Sequence, residues 1–211
     1  KKTIDEQLFR ENLLEEKIIE LIDEGKIIIE TENNIIGQVN GLSVYTVGEY
    51  SFGKPNRITA SAYIGEKGIV NIEREVELSG PFHDKGVLII SGYLGRKYGT
   101  DFPLSLSCSI TFEQSYGEVE GDSASLAELI AVLSEIGQIP VKQYIAITGS
   151  VDQHGNIQPV GGINEKIQGF FKICKIKGLN GSHGVIVPKR NFDNLVLDEE
   201  ILEAIENDLF N

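Results

Sequence analysis

Residues 120–136 read EGDSASLAELIAVLSEI, and this stretch predicts a helix that follows a tight, acidic loop. Ser125 and Glu128 have the spacing of a capping box, in which two side chains satisfy free amides of the first helical turn. The apolar residues recur at the spacing of one helical face, namely Leu126, Leu129, Ile130, Leu133 and Ile136. The sequence therefore predicts a helix that begins just after Ser123.

Strands and helices follow one another irregularly on both sides of this helix. An Asn40-Gly41 turn and a hairpin between 58–64 and 69–78 are expected from turn residues and alternating apolar positions. Strands are predicted over 26–29, 36–39, 42–47, 58–64, 69–78, 104–113, 144–148, 157–160 and 185–187. Helical spacing covers 4–21, 83–98, a segment from about Asn164, and 198–205. Because strands and helices do not alternate strictly and no repeat occurs, the predicted fold class is α+β, with mixed sheets and packed helices.

Composition narrows the class of protein. With 19 basic and 32 acidic residues the net charge is −13, which disfavours binding to nucleic acid or to anionic membranes. The longest apolar run, over 86–94, is far shorter than the ~20 residues that cross a bilayer. Cys108 and Cys174 occupy apolar positions, so they are expected to be buried, reduced thiols. The sequence favours a soluble, cytoplasmic protein.

The sequence disfavours a phosphate-binding loop and a histidine-based metal site. Residues 48–54 have the glycine and lysine spacing of a phosphate-binding loop, but Pro55 stands where a Ser or Thr is needed and a strand follows. A surface loop is the expected structure there. His83, His154 and His183 show no metal-ligand spacing, and the last two are predicted to be exposed turn residues. The sequence predicts no metal site.

Ser123 lies in the acidic, glycine-containing loop immediately before the predicted helix. Unpaired amide groups at a helix N-terminus create a positive potential and can donate to a developing oxyanion. This position suits a nucleophile. It also suits a helix-capping residue, so the motif alone leaves both interpretations open.

Lys166 ends the stretch GGINEK, residues 161–166, which predicts a lysine in the first turn of the next helix. A helix N-terminus disfavours a positive charge, as burial does, and both effects favour the neutral amine that a general base requires. An exposed lysine beside Glu165 is the alternative. The two motifs have to be considered together.

Three motifs in order resemble the proteolytic domain of Lon proteases, close to the Lon-B type: EGDSAS over 120–125, TGS over 148–150 and PVGGINEK over 159–166. The resemblance extends over most of the chain. It implies that Ser123 is the nucleophile and Lys166 the base, 43 residues apart (166 − 123). It also implies that Thr148 hydrogen-bonds the lysine, and that Glu120 and Asp122 are acidic neighbours in the loop. The charge of Asp122 would also raise the pKa of Lys166 and oppose its role as a base.

The resemblance carries further expectations. Residues 31–211 would be a Lon-type proteolytic domain and residues 1–30 a helical junction to an upstream ATPase module. The absence of methionine also indicates a chain cut from a longer one. The domain would be a serine endopeptidase of the endopeptidase La type, which cleaves unfolded polypeptides in a homo-hexameric ring. It would need no cofactor itself, and ATP and Mg²⁺ would serve the motor.

Two other functions remain open from the residues. A non-catalytic assembly or chaperone module would use Ser123 only as a cap. A serine hydrolase of another kind would use His154 or His183 as its base and would not need Lys166.

Overall fold

The computed structural model describes residues 2–101 and 104–211 of the chain. The helices are α1 (Lys2–Asp23), α2 (Ile72–Glu75), α3 (Pro81–Tyr98), α4 (Ser125–Gly137), α5 (Ile163–Lys177) and α6 (Glu199–Glu206), with a 3₁₀ turn over Lys189–Asn194. The strands are β1 (Asn34–Ile35), β2 (Gln38–Val47), β3 (Tyr50–Ile64), β4 (Gly68–Asn71), β5 (Leu106–Phe112), β6 (Val141–Lys142), β7 (Ile145–Ile147), β8 (Ser150–Val151), β9 (Ile157–Gln158) and β10 (Gly184–Ile186). The predicted α+β class is confirmed.

Within the described ranges, the main sheet has six strands in the order β10-β7-β2-β3-β5-β4. The pairs β2–β3 and β3–β5 are antiparallel, whereas β7 pairs in parallel with both β2 and β10. β4 pairs in parallel with β5. The expected hairpin between 58–64 and 69–78 is therefore wrong, because β5 lies between the two segments.

Several local predictions of turns and strands are wrong. Asn40 and Gly41 lie inside β2 and form no turn, since the buried Asn40 amide donates to the carbonyl oxygens of Glu30 and Gln143, each at 2.7 Å. The strand expected over 69–78 ends at Asn71, whose side chain accepts from the Glu73 amide and caps α2. Residues 26–29 form no strand.

Helices cover both faces of the main sheet. Neighbouring residues of a strand point to opposite faces, and the core divides accordingly. Val39 and Ile147 pack in a cluster with α3 and α4 residues, whereas Leu42 and Ala146 pack in a second cluster with α5 and α6 residues. Thus α3 and α4 lie on one face of the sheet and α5 and α6 on the other.

Helix α4 presents small residues to the sheet. Ala127 and Ala131 are fully buried, whereas Leu126 and Ile130 from the predicted apolar stripe are only partly buried and Ile136 is exposed. Small residues allow a close approach, and a Cβ on Gly41 of β2 would lie 3.4 Å from the Ala127 Cβ. The predicted helix is confirmed, but its most buried face is rotated from the predicted one.

Helix α5 contacts β3 backbone to backbone. A Cβ on Gly53 would lie 1.9 Å from the carbonyl oxygen of Glu165, and a Cβ on Gly169 would lie 2.1 Å from the carbonyl oxygen of Gly53. These distances are shorter than any real carbon contact, so both positions require glycine. Gly53 and Gly169 therefore allow the first half of α5 to approach β3 closely, which fixes the distance between the helix and the sheet.

Helix α1 packs on α5. Ile22 contacts Ile173, and Glu15 accepts hydrogen bonds from Lys172 at 2.6 Å and from the Tyr50 hydroxyl at 2.5 Å. The side chains of Ile4 and Leu8, part of the predicted α1 stripe, lie outside the described residues. No helix among residues 2–101 and 104–211 has the length and hydropathy needed to cross a bilayer.

The two cysteines lie in separate parts of the core. Cys108 belongs to the cluster on the α4 face and Cys174 to the cluster on the α5 face, and both are buried free thiols. Burial raises the pKa of Cys108 to about 11 and that of Cys174 to about 12. Both thiols are therefore protonated and unreactive at neutral pH. The expectation of buried, reduced cysteines is confirmed.

Candidate active site

Ser123 lies two residues before α4, after a loop that turns at Gly121 with φ +85°. The helix is capped by Ala124, which makes no side-chain capping bond. The predicted capping box is wrong, because Ser125 and Glu128 have other partners. The Ser125 hydroxyl accepts from the Val151 amide at 3.0 Å, and Glu128 pairs with His83.

The chain after β7 fixes the backbone of Ser123. Its carbonyl oxygen accepts from the Gly149 amide at 2.9 Å and from the Thr148 hydroxyl at 3.3 Å. Beside it, the Ser150 hydroxyl donates to the Asp122 carboxylate at 2.7 Å. The amides of Ser123 and Ala124 make no hydrogen bond to any described residue.

Lys166 lies in the first turn of α5, where its amide donates to the Gly162 carbonyl at 3.1 Å. Gly162 caps the helix with φ +64°, and a Cβ there would lie 2.4 Å from a methyl carbon of Val44. Left-handed backbone and lack of space both require glycine at this position. The glycine therefore fixes the start of α5, and with it the position of Lys166.

The Lys166 amine donates to the Ser123 hydroxyl oxygen, with an Nζ–Oγ distance of 2.9 Å. Lys166 is only 2% exposed. Burial lowers the pKa of its amine to about 8, although the charges of Asp122 and, to a smaller extent, Glu165 raise it. The opposing effect of Asp122, expected from the sequence, is thus present but weaker than burial.

We predict that Asp122→Asn shifts the pH dependence of the Ser123–Lys166 pair. The amide side chain of this variant would keep an oxygen for the Ser150 hydroxyl but would lose the charge that raises the Lys166 pKa. The pKa should fall further, so Ser123 reactivity should rise at a lower pH than in the wild type. The rate of covalent labelling of Ser123, measured against pH, tests this.

Glu165→Gln is the comparison variant for Asp122→Asn. It removes the smaller of the two raising charges and should produce a smaller shift in the same direction. A shift to higher pH in either variant would contradict the assigned charge effects.

The other predicted site residues are placed differently. Thr148 is expected from the resemblance to hydrogen-bond Lys166, but its described hydrogen bond goes to the Ser123 carbonyl, and none joins it to Lys166. Glu120 is exposed and packs over the N-terminus of α3, where a Cβ on Gly80 would overlap its carboxylate at 1.3 Å. Asp122 is also exposed and is held by Ser150.

The histidines do not contact Ser123. His154 is exposed in the β8–β9 turn, as predicted, and contacts Arg96. The prediction that His183 is exposed is wrong, because it is 1% exposed and contacts the Thr31 carbonyl at 3.2 Å. Among the described residues, no group of three or more His, Cys, Asp or Glu side chains could hold a metal ion.

The glycine-rich stretch over 48–54 is part of a hairpin. Gly48 has φ +62° in the turn between β2 and β3, and residues from Tyr50 onward belong to β3. No helix follows the lysine, so the segment lacks the geometry that binds phosphate. The surface-loop expectation holds only for the turn itself.

Sequence reasoning missed the connection between the loop and the chain after β7. Ser125 and Ser150 hold this connection through their hydroxyl groups. Both residues belong to motifs quoted above, but their serine side chains were compatible with caps and turns. Only the adjacency of α4 and β8 in space assigns them.

Comparison with known proteins relates the chain to one family. Residues 113–210 match the model of the family described as Lon protease (S16) C-terminal proteolytic domain. These residues belong to the Lon protease proteolytic family. Lon protease homologs from Escherichia coli strain K12 and Haemophilus influenzae are 46% and 41% identical to the chain, over 98% and 94% of its length.

An archaeal Lon protease from Thermoplasma acidophilum is 35% identical over 92% of the chain. The chain spans only about a third of these relatives, 36%, 33% and 29% of their lengths. The family match and these relatives confirm the resemblance to Lon proteases that was inferred from the sequence.

Proposed function

We propose that the chain is the proteolytic part of a serine endopeptidase of the endopeptidase La type, with Ser123 as nucleophile and Lys166 as general base. The contact of 2.9 Å between the Lys166 amine and the Ser123 hydroxyl carries this proposal. A pKa of about 8 leaves a useful fraction of the amine neutral near neutral pH, so it can accept the hydroxyl proton.

The proposed reaction is acyl transfer. Lys166 takes the proton from Ser123 Oγ as the oxygen attacks the scissile carbonyl carbon, and the free amides of Ser123 and Ala124 stabilise the oxyanion. The lysine then gives its proton to the leaving amine, and water hydrolyses the acyl-enzyme with Lys166 again as base. Thr148 and Asp122 support the reaction by holding the loop, and Glu120 packs beside it.

The substrates proposed are unfolded polypeptides. The match to the Lon proteolytic family and the exposure of Glu120 and Asp122 in the loop beside Ser123 support this proposal, because an extended chain can reach an exposed loop. We propose that ATP and Mg²⁺ act on a motor module outside these 211 residues and that this domain needs no cofactor. Free Cys108 and Cys174 thiols support a cytoplasmic location, where thiols stay reduced.

A serine-directed fluorophosphonate tests the proposed nucleophile. Peptide mass spectrometry should find one adduct, on Ser123, and none on Ser115, which is also half-buried and lies in the same loop region. Labelling should disappear in Lys166→Met, which removes the base. An adduct on another serine, or labelling that needs His154 and not Lys166, would refute the proposal and favour a different hydrolase.

We further propose that the whole protein assembles as a homo-hexamer. The proposal rests on the Lon-type domain and on the exposure of the loop beside Ser123, which leaves an indiscriminate protease without its own barrier. Light scattering of the full-length protein at micromolar concentration, with nucleotide, should give six times the protomer mass. A single protomer mass under those conditions would rule the ring out.

A further inference from the structure

A buried polar cluster lies behind the loop that carries Ser123. His83, in the first turn of α3, is 1% exposed, and its Nε2 lies 2.8 Å from the carboxylate of Glu128 on α4, which is also fully buried. On the other side of the ring, Nδ1 lies 2.9 Å from the Ser79 hydroxyl. That hydroxyl donates to Asp84 at 2.6 Å. The imidazole therefore joins the start of α3 to the first turn of α4.

The cluster also reaches the loop through the backbone. The Gly80 amide donates to the Val119 carbonyl, and the Val119 amide donates to the Leu78 carbonyl, both at 2.9 Å. Ser79 lies between these two bonds and forms an isolated parallel bridge with Val119. Val119 is four residues before Ser123. The Ser79 segment thus holds the loop on one side of Ser123, and α4 holds it on the other.

The two short hydrogen bonds of Ser79 favour the protonated form of His83, whereas the Asn71 amide nitrogen, 3.4 Å from Nδ1, is a longer and weaker competing donor. An ionised carboxylate only accepts, so Nε2 must carry a proton toward Glu128. If Nδ1 carried none, the single Ser79 proton could satisfy either His83 or Asp84, but not both. If Nδ1 is protonated, the ring donates to Ser79 and Ser79 donates to Asp84. Because both Ser79 distances are below 3.0 Å, the geometry fits the imidazolium.

The surroundings of the ring supply compensating charge. Burial lowers the pKa of His83, but the hydrogen bond and charge of Glu128 and the charges of Glu73 and Asp84 outweigh it, and the pKa is raised. One oxygen of Glu73 and one of Glu128 have no hydrogen-bond partner among the described residues, and His83 is the basic group in contact with Glu128. Three carboxyl groups face the ring, those of Glu128 from α4, Glu73 from α2 and Asp84 from α3. The Arg74 Nε atom lies 3.8 Å from an oxygen of Asp84. The Asn71 side chain and the edge-on ring of Phe112 complete the surroundings.

We propose that His83 is a positioning residue that, as a buried cation between Glu128 and Ser79, holds the loop in the arrangement that presents Ser123 to Lys166. His83 touches neither Ser123 nor Lys166. When Nδ1 loses its proton, Nδ1 and Asp84 compete for the single proton of the Ser79 hydroxyl. The Glu128 carboxylate then no longer has a positive charge beside it. The inference rests on the proposed function, because its effect is read through Ser123.

The raised pKa fixes the direction of the pH effect. A raised folded-state pKa means that the stabilisation is fully present below the ordinary histidine value of about 6.5 and is lost as pH rises through the folded-state value. Lys166 acts in the opposite sense, because its reactivity rises through about pH 8. Ser123 reactivity should therefore have a rising limb from Lys166 and a falling limb from His83.

The first test measures the histidines directly and needs no peptidase activity. Exchange of the imidazole carbon-bound hydrogen in D₂O, followed by peptide mass spectrometry against pH, gives a pKa for each histidine. His83 should titrate above about 6.5. His183 is the internal reference, since it is equally buried and burial lowers its pKa. A value for His83 at or below that of His183 would overturn the proposal.

The second test separates positioning from general stability. Ser79→Ala should reduce kcat by about tenfold, some 1.4 kcal/mol in the barrier, with KM unchanged. Ser134→Ala is the matched control, because Ser134 is a buried serine at the far end of α4 that bonds the Gly37 amide and the Ile139 carbonyl. It should lower the melting temperature without changing kcat. Equal losses of kcat in both variants would refute the positioning role.

Glu128→Gln supplies the pH signature. It keeps the shape of the side chain but removes the charge that contributes most to raising the His83 pKa. The falling limb should move to lower pH, while the limb assigned to Lys166 stays in place. An unmoved falling limb would overturn the proposal. If no labelling occurs in any variant, the proposed function fails, and the titration of His83 still decides whether the buried cation exists.

Discussion

Lys166→Arg is expected to lower kcat/KM by about 10²- to 10⁴-fold, the range that general acid–base catalysis contributes. Arginine keeps the positive charge and nearly the length of the side chain, but its guanidinium has a pKa above about 12 and cannot become a base. The wild-type amine, with its pKa of about 8, can. The limb of wild-type peptidase activity that rises through about pH 8 should therefore be absent in the variant.

Two controls separate loss of the base from loss of the fold. Lys166→Met fills the same buried space without a charge and should be folded and inactive. Lys172→Arg lies on the same helix, keeps its ion pair with Glu15, and should remain active. If Lys166→Arg retained more than about a tenth of the wild-type kcat/KM, a loss below ~1.4 kcal/mol, the lysine would only position the serine.

Gly53→Ala is expected to lower kcat strongly, because the added methyl group would collide with the α5 backbone on the side that faces β3. The new methyl group would lie 1.9 Å from the Glu165 carbonyl oxygen and 2.7 Å from the Lys166 Cα. These are backbone atoms, so they cannot rotate away, and the first turn of α5 must move off the sheet. A shift of about 1 Å at a catalytic group can cost about 10²-fold in rate, and we expect a loss of that order in kcat.

The fold should survive this change with reduced stability. Overpacking typically costs about 1–3 kcal/mol, which at roughly 2–4 °C per kcal/mol lowers the melting temperature by several degrees. Gly92→Ala in α3 is the matched control, since nothing lies within 4 Å of its added Cβ, and it should be active and slightly more stable. Wild-type activity in Gly53→Ala, assayed well below its melting temperature, would contradict the proposed role of the α5 position.

The positions of Ser123 and Lys166 at helix N-termini could be predicted from the sequence because both motifs carry local signals, whereas their pairing was implied only by the resemblance to Lon proteases. Ser123 and Lys166 each follow glycines and precede an apolar helical stripe, so the sequence predicts each near a helix N-terminus without knowledge of the sheet. The structure places both residues there. Local patterns of this kind are informative because helix ends are determined by nearby residues.

Other features could not be predicted, because they depend on contacts between segments that are distant in the sequence. Glu128 matched a capping box, but its partner is His83, 45 residues away in the chain. His183 matched an exposed turn, but it is buried against Thr31, 152 residues away. The parallel pairing of β4 with β5 likewise follows from packing in three dimensions. No pattern within one segment reports such partners.

The division of the core between two faces of the sheet has a consequence for the life of the chain. The proposed nucleophile is attached to the layer of α4, and its base to the layer of α5, so the pair exists only while both layers are docked on the same strands. A nascent chain that has emerged only as far as α4 lacks Lys166 altogether. A chain that loses either layer separates the two side chains at once. The contact between Ser123 and Lys166 is therefore absent from a chain that ends after α4, and it is lost when either layer leaves the sheet.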